Sequence, residues 1–148
     1  MRHYFPALFF SKKEKQRIQN AIQGVEKETS AEIRVHLERP RKGQEILDQA
    51  REAFERIGMT STKDRNGILI FLCPETRRFA VLGDQGIHAK VSPRFWEEIT
   101  RSMELHFRKD CFADGICGAI ESIGEKIKKY FPREGSDQNE LPDRVSYS

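Results

Sequence analysis

The sequence lacks the marks of the most sharply defined enzyme and membrane classes. It contains no G-x-x-x-x-G-K-[ST], H-E-x-x-H or G-x-S-x-G motif, and its three cysteines lack the paired spacing of a zinc site. No apolar run approaches a membrane span, and the charged stretch after Ser11 interrupts the aromatic N-terminus before it reaches secretory length. An odd number of cysteines indicates a reducing compartment. We therefore expect a cytoplasmic protein without an integral membrane segment.

Length and charge are typical of one compact domain. The chain has 148 residues, a charged fraction of 33% and a net charge of only +3, because acidic and basic residues are interspersed. A nucleic-acid footprint would need basic residues concentrated on one face. We therefore expect no nucleic-acid partner. The composition is compatible with a protein partner of unknown identity.

The first part of the chain reads as helix, strand and helix. A capping box at Ser11 begins a helix predicted over residues 12–28. Apolar and polar residues then alternate over Glu32–Leu37, which indicates a strand with one buried face. A second helix follows, and Gly58 is placed to end it. Its apolar positions are Leu47, Ala50, Phe54 and Ile57.

The most informative stretch lies between residues 65 and 87. An unbroken apolar run, Ile68–Cys73, predicts a strand buried on both faces, and Phe79–Leu82 follows after a Pro-Glu-Thr break. The helical connection from the first strand makes the first two strands parallel, and the short hairpin makes the last two antiparallel. The second hairpin strand opens into a glycine-bracketed acidic loop, Gly83–Gly86.

The remaining elements complete a layered fold. Ser92-Pro93 begins one helix, and another runs from about Ala113 to the stop at Phe131-Pro132. The fold class is therefore a three-layer α/β/α sandwich, in which helices cover both faces of a small mixed β-sheet with a β-α-β-β core. We assign residues 1–132 to the domain and 133–148 to a mostly flexible tail. Local docking of this tail would use its apolar residues Leu141, Val145 and Tyr147.

Three segments share their pattern with a known family. Arg65–Ile70 contains Asn-Gly before an aliphatic strand, Gly83–Ile87 forms a glycine loop, and Phe107–Ile116 is similar to Phe-x-x-Gly-Asp-Tyr-x-x-Gly. In this order they resemble the TPM domain, which occurs in thylakoid-lumen and bacterial proteins and is sometimes labelled a phosphatase domain. The resemblance covers roughly Phe10 to Pro132, and the phrase Asn139–Asp143 looks like the tails of soluble bacterial members.

Asp84 is the leading candidate for a site residue. Between Gly83 and Gly86, the backbone is expected to turn tightly and expose carbonyl oxygens, and hard divalent cations bind such mixtures of carboxylate and carbonyl oxygen. The alternative is a turn residue without a ligand, because Asp and Gly form turns unaided.

The other candidates follow from the neighbouring motifs. Asn66 and Gly67 precede the buried strand, and Asn66 either closes a loop or supplies a ligand oxygen. Asp64 lies two residues before Asn66, whereas members of the family that the chain resembles often place an acid directly before the Asn-Gly pair. The resemblance puts Asp110 on the aspartate of the Gly-Asp-Tyr segment, although Lys109 replaces the glycine.

These residues lead to a binding or regulatory module as the first hypothesis. It would bind Ca²⁺ or Mg²⁺ at loops carrying Asp84, Asp110 and either Asp64 or Asn66, with Gly67, Gly83 and Gly86 shaping the backbone, and it needs no organic cofactor. The first alternative is a metal-assisted phosphomonoester hydrolase. The second is a protein-interaction domain in which the acids only form turns and caps.

Overall fold

A four-stranded mixed sheet with helices on both faces forms the domain. The computed structural model describes residues 2–133 and 143–148. Its elements are α1 (Pro6–Phe9), α2 (Lys12–Glu26), β1 (Glu32–Leu37), α3 (Ile46–Arg56), β2 (Gly67–Cys73), β3 (Arg78–Gly83), α4 (Gln85–His88), α5 (Pro93–Arg108), α6 (Phe112–Ile127) and β4 (Ser146–Tyr147). None of the helices in these ranges combines the length and apolar character that crossing a membrane requires.

The strand order is β3-β2-β1-β4. β1 pairs parallel with β2, from Glu32 opposite Gly67 to Leu37 opposite Leu72. β2 pairs antiparallel with β3 across the hairpin, from Ile68 opposite Gly83 to Cys73 opposite Arg78. Both pairings, and the three-layer fold class, confirm the sequence predictions.

β2 is buried at every position because apolar clusters cover both of its faces. On one face, Ile68, Ile70 and Leu72 pack with α2, α5 and α6. On the other face, Leu69 and Phe71 pack with the apolar side of α3. A strand with two apolar faces cannot lie at the surface, so its pattern fixes the three layers.

Two differences from the predicted helices concern the surface near β3. Leu47, assigned to the buried side of α3, is 41% exposed, because Ile46, Ala50 and Ala53 are the residues that face the sheet. The acidic loop after β3 also contains the single helical turn α4, which the sequence did not indicate.

The end of the chain docks on the sheet. β4 pairs parallel with β1, and Val145 lies in the core at 7% exposure. Ser146 Oγ lies 2.7 Å from Nδ1 of His36, a buried histidine whose pKa is lowered chiefly by desolvation. Local docking of Val145 was one of the options for the tail. Leu141 and all of Asn139–Asp143 except Asp143 lie outside the described residues, and the domain boundary at Pro132 stays a prediction.

Val145→Ala should lower the free energy of unfolding by about 1–2 kcal/mol, since it removes two buried methyl groups. Urea unfolding measures the difference. Leu105→Ala is the matched control, because Leu105 is 51% exposed and its truncation should change the free energy by less than about 0.5 kcal/mol. Equal, small effects of both variants would mean that residues 143–148 do not dock as described.

Candidate functional site

Asp84 has two structural partners. Its side chain accepts a hydrogen bond from the backbone N–H of Gln85 at the start of α4. Arg65 binds the same carboxylate through two nitrogens, Nε at 2.7 Å and Nη2 at 3.0 Å. The Asp84 side chain is only 6% exposed, so a guanidinium already neutralises a carboxylate that has little access to water.

The glycines around Asp84 allow close backbone contact. A Cβ atom on Gly86 would lie 2.3 Å from the carbonyl oxygen of Asp64, and one on Gly67 would lie 2.8 Å from that of Met59. A Cβ on Gly83 would lie 2.9 Å from the Ile87 side chain. None of these three glycines has a positive φ. The loop is therefore held against residues 64–67 by packing and backbone hydrogen bonds, among them the bond from the Asp84 N–H to the Gly67 carbonyl.

Asn66 lies under this loop and is 1% exposed. Its amide donates to Ser30 Oγ at 3.3 Å, whereas its carbonyl oxygen has no hydrogen-bond partner among the described residues. Asp64 has an exposed side chain. Asn66 is thus buried beside the Arg65–Asp84 pair, and its role as a ligand stays a prediction. Asp64 contributes its backbone carbonyl to the contact with Gly86.

Asp110 lies at the other end of β3. It occupies the left-handed turn between α5 and α6, with φ of 58°, and its carboxylate is 3.6 Å from Arg77. Arg77 precedes β3 and Asp84 follows it, so the two acids are separated by about 20 Å along the strand. The structure therefore does not bring Asp84 and Asp110 together, and one cation could not bind both.

Three other carboxylates do converge. Oxygen atoms of Glu26, Glu32 and Asp143 all lie within 4.8 Å of one another, at the end of α2, the start of β1 and the C-terminal segment. Desolvation raises the pKa of Glu26 well above its usual range, and a hydrogen bond with Asp143 and the charge of Glu32 add to the effect. Sequence reasoning missed this cluster, although the family-like phrase that ends at Asp143 was a signal.

Within residues 2–133 and 143–148, no strand pairs with the outer edge of β3. Because the Asp84 N–H bonds to the Gly67 carbonyl, the alternation of an antiparallel pair directs the backbone groups of Phe79, Val81 and Gly83 away from β2. No backbone hydrogen bond joins these three residues to a further described element. The edge therefore presents a row of free donors and acceptors.

A groove of about 470 Å³ runs beside this edge at its Gly83 end, and we call it the β3 groove. Its lining residues are Leu47, Arg51, Phe54, Glu55, Thr60, Arg65, Val81, Leu82, Gly83, Asp84, His88 and Trp96. The indole N–H of Trp96 is buried and has no acceptor among the residues the structure covers. The groove thus combines apolar and charged side chains beside an open strand edge.

Comparison with known proteins agrees with this architecture. The family model described as TPM domain matches residues 4–126, and the chain belongs to that family. The NMR structure of the BA42 protein from the psychrophilic bacterium Bizionia argentinensis is 37% identical, with a TM-score of 0.88 over 95% of this chain and 96% of that one. No curated protein matches the chain.

Two more distant structures share the fold. The N-terminal domain of cg2496 from Corynebacterium glutamicum is 16% identical, with a TM-score of 0.63 over 94% of this chain and 80% of that one. The N-terminal domain of a protein from P. gingivalis is 17% identical, with a TM-score of 0.67 over 82% and 78%. The resemblance predicted from the three segments is confirmed.

Glu26→Gln should stabilise the protein increasingly as pH rises from 5 to 8. The folded-state pKa of Glu26 is raised, so its contribution to stability is complete below the unfolded value of 4.5 and is lost as pH rises toward the folded value. Glutamine removes this loss, and the gain at pH 8 should exceed that at pH 5 by at least about 1 kcal/mol in urea unfolding.

Glu14→Gln is the control. The pKa of Glu14 is lowered, chiefly by its hydrogen bonds with Arg2, so its contribution is lost only as pH falls below 4.5. The difference between this variant and the parent should stay constant from pH 5 to 8. A Glu26→Gln difference that is equally constant would contradict the burial of Glu26 beside two other carboxylates.

Proposed function

We propose that this TPM domain is a non-catalytic protein-interaction domain that binds an extended peptide segment of a partner along the outer edge of β3. The observation that carries the proposal is the row of outward backbone groups at Phe79, Val81 and Gly83, which lies beside the β3 groove. An extended peptide that adds to a sheet edge satisfies such groups, and flanking pockets take alternate side chains.

The groove supports binding of a peptide rather than a small polar ligand. Leu47 is 41% exposed on α3, and the partly buried Leu82 and Trp96 lie on the same groove. Exposed apolar side chains beside a free strand edge favour association with another chain. A partner strand would cover these side chains and complete the sheet on the side where it now ends.

The contacts made by Asp84 and Asp110 agree with this function. Asp84 caps α4 and pairs with Arg65, and Asp110 pairs with Arg77 at the surface. Both therefore have the turn and cap roles that an interaction domain requires of them. The Arg65–Asp84 pair also anchors the Gly83 end of β3, beside the edge where a partner would bind.

Val81→Pro should weaken peptide binding about tenfold or more while the domain stays folded. Proline removes the outward N–H of residue 81, and an edge strand tolerates proline where that N–H does not bond within the sheet. Binders selected from a display library of random peptides of about ten residues should lose affinity about tenfold or more in this variant, as measured by fluorescence polarisation.

Val81→Ala is the matched control, since it shortens the same side chain but keeps the N–H. Its affinity should change by less than about threefold. Thermal unfolding and circular dichroism verify that both variants fold. If the library yields no binders, or if the binders keep their affinity for Val81→Pro, the proposed function is wrong.

Cation binding is the second candidate, because the carboxylates of Glu26, Glu32 and Asp143 converge and hard cations prefer oxygen ligands. At Asp84, Ca²⁺ or Mg²⁺ would first have to displace Arg65. Cation binding at Asp84 stays a prediction, which the titration described below tests. The hydrolase alternative also depends on a bound cation, and it stays a prediction too. So does the cytoplasmic location.

Titration with Ca²⁺ and Mg²⁺ decides between the two cation sites. A cation at ten times its dissociation constant should stabilise the fold by about 1.4 kcal/mol, which raises the melting temperature by about 3–6 °C. A rise that Glu32→Gln abolishes and Asp84→Asn keeps places the cation at the acidic cluster. The reverse result places it at Asp84. No rise with either cation in the parent protein rejects cation binding.

A further inference from the structure

We infer that the segment bound at β3 runs antiparallel to it and carries an apolar residue followed, four residues later in its sequence, by Asp or Glu. This inference rests on the proposed function and names the chemistry of the partner. It follows from the face of the sheet to which each β3 side chain belongs and from the charges at the two ends of the strand.

Side chains of a paired peptide alternate between the two faces of the sheet in register with β3. Arg78, Ala80 and Leu82 lie on the face covered by α3, because they are in register with Cys73, Phe71 and Leu69. A peptide residue opposite Leu82 would therefore lie between β3 and α3, where Leu47 is exposed. This position favours an apolar side chain.

The Arg78 end of the same face is basic. Arg78 and Lys42 both line a depression of about 540 Å³, in which Glu45 is the one acidic lining residue. Neither base has an ion-pair partner among the residues of 2–133 and 143–148, whereas Arg41, which also lines it, pairs with Glu52. A peptide carboxylate opposite Arg78 would meet two cations, which is the charge complementarity that selects a partner.

The Gly83 end gives no such preference. Arg51 pairs with Asp48, Arg65 pairs with Asp84, and Glu55 adds a further acid to the groove lining. An acidic side chain there would find its potential partners already engaged. The acidic position of the peptide is therefore the one opposite Arg78, four residues from the position opposite Leu82.

The order of the two residues follows from strand direction. Antiparallel pairs are slightly more stable per residue than parallel ones, and β3 already pairs in this way with β2. In an antiparallel partner, the residue opposite Leu82 precedes the residue opposite Arg78. The apolar residue therefore comes first in the sequence of the partner.

Three capped, fluorescein-labelled peptides test the inference against the full chain. The first is Thr-Thr-Leu-Thr-Val-Thr-Glu-Thr-Thr, the second replaces its Glu by Lys, and the third is the same sequence in reverse order. Fluorescence polarisation should show that the first binds about tenfold more tightly than either of the others. In Arg78→Glu the preference between the Glu and Lys peptides should reverse, while the fold is unchanged.

The outcomes separate this inference from the proposed function. Equal binding of all three peptides, lost in Val81→Pro, would overturn the sequence pattern and leave edge binding intact. Library binders that lack the apolar and acidic positions would overturn it as well. Sedimentation that shows a dimer of the parent chain, dissociated by Val81→Pro, would assign the edge to a second copy and overturn both.

Discussion

The burial of β2 on both faces is the constraint on which the rest of the structure depends. Its seven residues, Gly67–Cys73, are all buried, so α3 must cover one face while α2, α5 and α6 cover the other. Its two edges are taken by β1 and β3. β1 gains a further neighbour in the short strand β4, whereas β3 ends the described sheet on its side. This asymmetry between the two sides of the sheet is the reason for proposing a binding surface at β3.

The Arg65–Asp84 pair then determines what the acidic loop does. Arg65 stands directly before Asn66, and its guanidinium binds the Asp84 carboxylate. A buried carboxylate needs a compensating charge or hydrogen bonds, and here Arg65 and the start of α4 supply both. These contacts hold the loop at the end of β3.

The sequence predicts the parts of the fold that have a strong local pattern. The apolar run of β2, the alternation of β1 and the capping box at Ser11 each specify one element, and all three are present. β4 was not predicted, because a two-residue strand at Ser146–Tyr147 has no periodicity and depends on pairing with β1.

The candidate site was harder to predict because it depends on contacts between elements. Nothing in a single sequence shows that Arg65 faces Asp84, or that Glu26, Glu32 and Asp143 meet from three separate segments. The period of α3 placed Leu47 on the buried side, and only the packing of Ile46 against the sheet exposes it. Gly67, Gly83 and Gly86 belong to β2, β3 and α4, and a single sequence does not show the close backbone contacts that they make.

The proposed function depends on the free edge of β3, and residue-resolved amide hydrogen exchange measures whether its backbone groups are bonded. The amides of Ala80 and Leu82, which face β2, should exchange slowly, whereas those of Phe79, Val81 and Gly83 should exchange quickly in the isolated protein. Slow exchange at all five positions in a monomeric sample would contradict the account, because it would mean that the outward groups are already bonded.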